Sequence, residues 1–227
     1  MTNKKTTIKA VTLSIILILI SVLSLFLLEQ LSPEFFGSIT GKLITQVYVI
    51  PAYPMDCNVT MYNGQNLLSF FCIPNYFERE QFLANFTGYT KIYAYRAGNS
   101  DPWKSYKTNM PGWVVQDLDY FSRTDGYWFF MNISNTINYF YNGSKVSKTT
   151  LYLKEGWNLI GYPTNIPQNT SFFLNQTEYA YEIRSYDNEN KTYKSYVKNS
   201  GGTLILIESN YGYWLYVNQS TSLEVNW

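Results

Sequence analysis

The chain has no histidine and only two cysteines, and just 15% of its 227 residues are charged. Without histidine the commonest general base and the commonest metal ligand are both missing, which excludes a His-based catalytic triad and an imidazole metal centre. The 17 basic and 16 acidic side chains leave a net charge of +1 and are spread along the chain. No basic stripe exists to neutralise phosphates, so nucleic acid is not an expected partner. Aromatic residues, in contrast, make up 19% of the chain, and 22 of them are tyrosine. With abundant Val, Ile and Thr and little Ala, this composition favours β-strands. The length allows one or two domains, each with its own core.

One long apolar run is present. Ala10 to Leu28 carries no charge, and at about 1.5 Å per helical residue it spans roughly the hydrocarbon of a bilayer. Lys4, Lys5 and Lys9 precede it, and Glu29 and Glu34 follow. The positive-inside rule then makes residues 1–9 a cytoplasmic stub, 10–28 a transmembrane helix in contact with membrane lipid, and everything beyond extracellular. A cleaved signal peptide fits less well, because its apolar core runs about 7–15 residues and ends in a small-residue site. A third reading is a leader cut after Lys9-Ala10, which would make the chain a pilin-like filament subunit. It resembles archaeal pilins in that placement alone and lacks their early acidic residue. Residues 29–56 form a juxtamembrane segment, with an extra strand expected over 41–53.

Two features beyond the run agree with an extracellular setting. With 22 Asn and 39 Ser or Thr, chance predicts roughly four N-x-S/T acceptor sites. Eight are present, at Asn58, Asn85, Asn132, Asn142, Asn169, Asn175, Asn190 and Asn218. The two cysteines, Cys57 and Cys72, both lie on the same side of the run and are expected to pair in an oxidising compartment.

Residues 57–140 and 149–227 read as two copies of one β-rich module, with 141–148 as a linker. Asn66-Leu67-Leu68-Ser69-Phe70 aligns with Asn158-Leu159-Ile160-Gly161-Tyr162, and Ile92-Tyr93-Ala94-Tyr95 with Ile183-Arg184-Ser185-Tyr186. Trp103-Lys104-Ser105-Tyr106 aligns with Tyr193-Lys194-Ser195-Tyr196, and Gly126-Tyr127-Trp128-Phe129-Phe130-Met131 with Gly212-Tyr213-Trp214-Leu215-Tyr216-Val217. Four matches in the same order, with a slowly falling offset, point to internal repetition. The expected fold is mainly β, sandwich-like, with a short helix in each repeat around Phe172-Phe173-Leu174 and its counterpart. The Gly156-Trp157-Asn158-Leu159-Ile160 strand, followed by Pro163 and later by Gly212-Tyr213-Trp214, resembles a module of archaeal and bacterial cell-surface proteins, S-layer-associated or adhesin-like. The first copy departs from that pattern, with Gln65 in place of the Trp and the cysteine pair added. The resemblance implies an envelope setting and no catalytic residues.

The remaining chemistry is sparse. Asp117 and Asp119 would share a face on one strand, as a glycosidase carboxylate pair requires, but a solvated turn explains them better. Asp187-Asn188-Glu189-Asn190 lacks the Gly and distal Glu of a calcium loop and reads as a hairpin turn. Trp128, Trp157 and Trp214 are expected to pack the cores, whereas Trp103, Trp113 and Tyr193, near turns, are candidate exposed binding aromatics. No catalytic, metal or cofactor site is expected. The chain reads as a single-pass membrane glycoprotein acting through a protein or cell-surface partner, in adhesion, envelope assembly or display. A carbohydrate- or polymer-binding receptor is the second reading, and the filament subunit the third. If the topology is right, protease added to intact cells will degrade the region beyond about residue 29 and spare a small anchored fragment; complete protection of the chain would refute it.

Overall fold

Alternating apolar and polar residues, punctuated by Gly, Asn and Pro turns, give a mainly β architecture in the computed structural model, which describes residues 53–227. The expected stub, the Ala10–Leu28 helix and nearly all of the extra strand over 41–53 lie outside the described residues. The first half runs β1 (Tyr53–Met61), β2 (Gly64–Leu68), β3 (Phe77–Glu78), α1 (Arg79–Leu83), β4 (Tyr89–Tyr95), β5 (Trp103–Lys107), β6 (Tyr120–Phe121), β7 (Tyr127–Met131) and β8 (Ile137–Lys145). The second runs β9 (Lys148–Leu153), β10 (Gly156–Gly161), β11 (Gln168–Asn169), α2 (Thr170–Leu174), β12 (Ala180–Asp187), β13 (Thr192–Val197), β14 (Gly201–Gly202), β15 (Leu206–Ile207), β16 (Gly212–Val217) and β17 (Thr221–Asn226).

Pairings recur element by element. The first half has an antiparallel sheet in the order β2-β7-β4-β5, a ribbon β1-β8 and a small ribbon β3-β6. The second half has β10-β16-β12-β13, extended by β14, with ribbons β9-β17 and β11-β15. In each half one face of the sheet packs with the long ribbon around a separate core. Phe70 centres the first core, with ring centroids 4.6 Å from Phe82, 5.6 Å from Phe129 and 5.8 Å from Tyr141. Leu151, Phe173, Ile183, Tyr213 and Leu215 lie in the second.

The stretch expected as a linker, 141–148, is corrected: β8 continues to Lys145 and β9 starts at Lys148. Asn142-Gly143 has the composition of a turn, but β1 supplies a partner along the whole length of β8, from Met61 opposite Ile137 to Tyr53 opposite Lys145. Cys57 on β1 is disulfide-bonded to Cys72, 15 residues on. Closing a loop of that size stabilises a fold by about 3 kcal/mol in the chain-entropy model. Counting along the aligned halves, Thr149 and Thr164 hold the equivalent places in the second half, and both are buried.

Two polar clamps explain the recurring motifs. In Gly-x-Asn, the glycine has positive φ (Gly64 +80°, Gly156 +95°), which lets the chain turn back on itself. The buried Asn then seals that turn. Asn66 Oδ1 accepts the Tyr62 N–H at 2.8 Å while its Nδ2 donates to the Tyr62 and Gly64 carbonyls. Asn158 makes the same three bonds with Lys154 and Gly156. In Gly-Tyr-Trp, the buried Tyr127 hydroxyl accepts the Ser122 N–H at 2.7 Å and donates to the Ser122 carbonyl. Tyr213 does the same with Glu208, accepting at 2.8 Å and donating at 3.0 Å. Burial raises both phenol pKa values far above the ordinary range, so the hydroxyls remain protonated donors.

The halves meet along a seam related by an approximate two-fold. Ser69 N–H donates to Asn210 O at 3.1 Å, and its counterpart Gly161 N–H donates to Thr124 O at 2.8 Å. A Cβ on Gly126 would lie 2.8 Å from the Ile160 carbonyl, and one on Gly212 would lie 2.9 Å from the Leu68 carbonyl, so the Gly of Gly-Tyr-Trp is set by close approach of the other half. Replacing Tyr127 or Tyr213 by Phe leaves a backbone N–H and carbonyl without the phenol. Each substitution is expected to cost about 1–3 kcal/mol in urea unfolding; a change within about 0.5 kcal/mol of zero would show that the clamp contributes nothing.

Candidate functional site

Burying one face of each sheet leaves the other face to be accounted for. On β7, Tyr127, Phe129 and Met131 are buried in the core, while Trp128 and Phe130 point the other way and are half-buried. On β16, Tyr213, Leu215 and Val217 point inward, while Trp214 and Tyr216 point outward. The expectation that Trp128, Trp157 and Trp214 pack the cores is therefore overturned. The buried ring of Gly-Tyr-Trp is the tyrosine, because its hydroxyl reaches the loop backbone behind it, and strand alternation then sends the tryptophan outward.

The two outer faces join at the seam. Leu67, Leu159 and Tyr186 are buried together there, with Tyr95, Trp128 and Trp214 packed against them. Around this floor the rings sit mostly edge-to-face or tilted. Tyr95 lies 5.1 Å from Trp103 and 5.2 Å from Trp214, Trp128 lies 5.3 Å from Tyr186, and Tyr186 lies 5.0 Å from Tyr193. A groove of about 690 Å³ runs between Tyr95, Trp157, Tyr193 and Trp214, with Glu182, Arg184, Lys194 and Ser195 supplying polar groups. A shallower cavity of about 320 Å³ shares Tyr193 and Trp214 and adds Trp103, Trp128, Phe130, Tyr93 and Gln65.

Charge in the groove is fixed in place. Arg184 lies 4.7 Å above the Trp157 ring, and its Nε donates to Glu182 at 2.6 Å. Lys194 is held by Asp187 at 2.9 Å. The Asn190 backbone N–H, together with Lys194, keeps the Asp187 carboxyl well below the usual carboxylate range. Glu189 N–H and Asn190 N–H both donate to Asp187 Oδ1 in the turn between β12 and β13, so the Asp187–Asn190 stretch is a hairpin turn.

Of the three candidate exposed aromatics, Trp103 (46% exposed) and Tyr193 (67%) line the groove region, whereas Trp113 (83%) stands on the loop between β5 and β6. The other rings of the groove region, Tyr95, Trp128, Trp157 and Trp214, are not among the residues the sequence points to as exposed. Strand alternation gave their pairing by face, and the identity of the buried face was the missing signal. All eight acceptor asparagines, Asn58, Asn85, Asn132, Asn142, Asn169, Asn175, Asn190 and Asn218, are exposed. Among them Asn169 also caps α2 by accepting the Ser171 N–H.

Asp117 and Asp119 are not on a strand, and Asp117 is engaged by the Ser105 N–H at 2.7 Å and by Lys104 at 3.1 Å. Burial pushes its carboxyl up, and these two partners more than offset that, leaving its pKa lowered. Thr203, at the equivalent place in the second half, likewise accepts a backbone N–H, that of Ser195, so the Asp117 position holds a loop against a strand. Among the described residues, no group of three or more His, Cys, Asp or Glu side chains could hold a metal ion.

Because the Asp187 pKa is depressed on folding, its contribution to stability is complete above the unfolded value of about 4 and is lost as pH falls below it. Asp187→Asn is therefore expected to lower Tm at pH 7, with the difference shrinking steadily as pH falls from about 4 towards 2; parallel Tm curves over that range would refute the linkage. No family model matches the chain, no curated protein does, and no solved structure does.

Proposed function

We propose that the chain is a membrane-anchored, extracytoplasmic binding protein whose two tandem copies of one β-rich module present the aromatic groove to a carbohydrate polymer. The observation that carries this reading is the groove itself. Its indole rings and Tyr95 are half-buried and Tyr193 is exposed, and they stand over a packed floor next to Arg184, Glu182 and Lys194. Sugar rings have apolar C–H faces that stack on aromatic faces, and equatorial hydroxyls that pair with planar polar side chains; rigid aromatics provide this contact at low entropic cost. The Ala10–Leu28 run and its charge flanks support the anchor, and the disulfide and the exposed acceptor asparagines are consistent with an oxidising, glycosylating compartment. The recurrent strand pairings support the reading as a repeat, and the resemblance to cell-surface modules suits an envelope role.

A second reading, a protein or cell-surface partner in adhesion or envelope assembly, is favoured by Trp113 and Val115. Both stand more than 80% exposed on one loop, away from the groove. Exposed apolar side chains grouped in this way suit a protein contact.

The carbohydrate reading is tested by screening the full chain, in detergent, on an array of polymeric and oligomeric glycans. Trp103→Ala and Tyr193→Ala are each expected to weaken binding about tenfold or more while leaving Tm within a few degrees. Trp113→Ala should leave glycan binding unchanged. Binding that tracks Trp113 and ignores Trp103 and Tyr193 would move the site to the exposed loop.

A further inference from the structure

The seam repeats its backbone bonds on both sides but differs at one point. On one side the β12–β13 turn closes onto β2. Asn188, buried, accepts the Leu67 N–H on Oδ1 at 2.7 Å and donates from Nδ2 to the Leu67 carbonyl at 3.2 Å. Leu159 is the counterpart of Leu67, since it stands opposite Trp214 as Leu67 stands opposite Trp128. The aligned strands Ile92–Tyr95 and Ile183–Tyr186 place Ala97 where the second half has Asn188. A methyl group thus replaces the carboxamide, and a cavity of about 260 Å³ lies there, with Ala97 and Leu159 in its wall.

The direction of the Leu159 N–H follows from strand geometry. Gly161 N–H, two residues on, leaves the sheet edge to reach Thr124 O, and N–H groups two apart in a strand point the same way. The Leu159 carbonyl is reached from that side by the Gly126 N–H at 3.3 Å, but no described side chain or loop carbonyl accepts the Leu159 N–H. A backbone donor at a buried sheet edge calls for an acceptor. Arg96 and Asp125, paired at 3.1 Å, also line the cavity, so it is polar but locally neutral and suits an uncharged ligand with both an acceptor and a donor. Tyr95 lines both this cavity and the aromatic groove.

We propose that the cavity binds a neutral carboxamide whose oxygen takes the Leu159 N–H as Asn188 Oδ1 takes the Leu67 N–H, and that its ligand is the acetamido group of an N-acetylated sugar residue in the polymer held by the groove. The amide assignment stands on the cavity alone, and the sugar assignment rests on the carbohydrate reading of the groove. The ligand carbonyl accepts the Leu159 N–H, and its N–H donates into the wall that carries Asp125.

The test uses the full chain in detergent with N-acetylglucosamine trisaccharide, the matching glucose trisaccharide and acetamide. The N-acetylated trisaccharide is expected to bind about tenfold more tightly than the glucose one, the size of one well-made hydrogen bond. Ala97→Asn, which carries its own carboxamide, should abolish that preference, keep the affinity for the glucose trisaccharide and raise Tm. In wild-type protein, acetamide should shift the Leu159 amide resonance, and in Ala97→Asn it should not. If both trisaccharides bind equally and acetamide leaves Leu159 unmoved, the cavity proposal is overturned and the groove reading stands. If neither trisaccharide binds but acetamide moves Leu159, the amide site stands and the sugar assignment is overturned. Should Ala97→Asn not fold, the wild-type acetamide shift at Leu159 decides the amide site by itself.

Discussion

The joining of the two halves, and with it the groove, depends on two short backbone contacts, Ser69 N–H to Asn210 O and Gly161 N–H to Thr124 O, which tie the edge of each sheet to the loop before the central strand of the other half. They are isologous: the same surface on each half serves as both donor and acceptor, as in a two-fold dimer, although here one chain supplies both sides. Such close approach leaves no room for a Cβ at Gly126 or Gly212. It also brings together two outer faces that would otherwise each be an exposed apolar surface, burying Leu67, Leu159 and Tyr186 between them. The groove exists because the seam does. Its floor comes from both halves, and rings from 95 to 214 in the sequence border it.

How far the sequence went can be judged residue by residue. The recurring motifs are legible because they are the ones fixed by local geometry. A Gly with positive φ two residues before an Asn that reaches back to seal the turn leaves a short signature, and so does a Tyr whose hydroxyl clamps the backbone five residues earlier. Alternation also grouped Trp128 with Phe130 and Trp214 with Tyr216 correctly. Alternation cannot say which of two apolar faces is buried, and ring size alone favours the tryptophan for the core. The hydroxyl decided the matter: a buried phenol can reach a backbone partner, and the tryptophans were left to the seam.

Misreadings elsewhere share a cause in long-range pairing. Asn142-Gly143 carries a strong turn signal, yet β1 lies alongside and keeps it in β8. The strand β1 is itself thinly apolar, with Asp56, Asn58 and Thr60 on its exposed face, and only the partner 80 residues away makes it a strand. Trp103 and Tyr193 were recognisable as exposed aromatics from their neighbouring turns, but nothing local distinguishes them from Trp113, which the fold leaves outside the groove. A site assembled across a seam is invisible to any window of sequence shorter than the separation of its walls.

The halves keep the same scaffold and differ in how they are fastened. The first half holds β1 to the loop after β2 with the Cys57–Cys72 disulfide, where the second has the buried threonines Thr149 and Thr164. The second half latches β2 through Asn188, where the first has Ala97 and a polar cavity. Each fastening therefore occurs once, and the two halves are not interchangeable. Because the groove is lined by residues of both halves, a ligand seated there would hold the two halves together. By mass action such a ligand would stabilise the seam by RT ln(1 + [L]/Kd), about 2.7 kcal/mol at a hundred times Kd. That is comparable to the disulfide, at about 3 kcal/mol. The seam that creates the groove would thus be strengthened by a ligand that fills it, and the joining of the two halves supplies a floor for aromatic rings that neither sheet's outer face has alone.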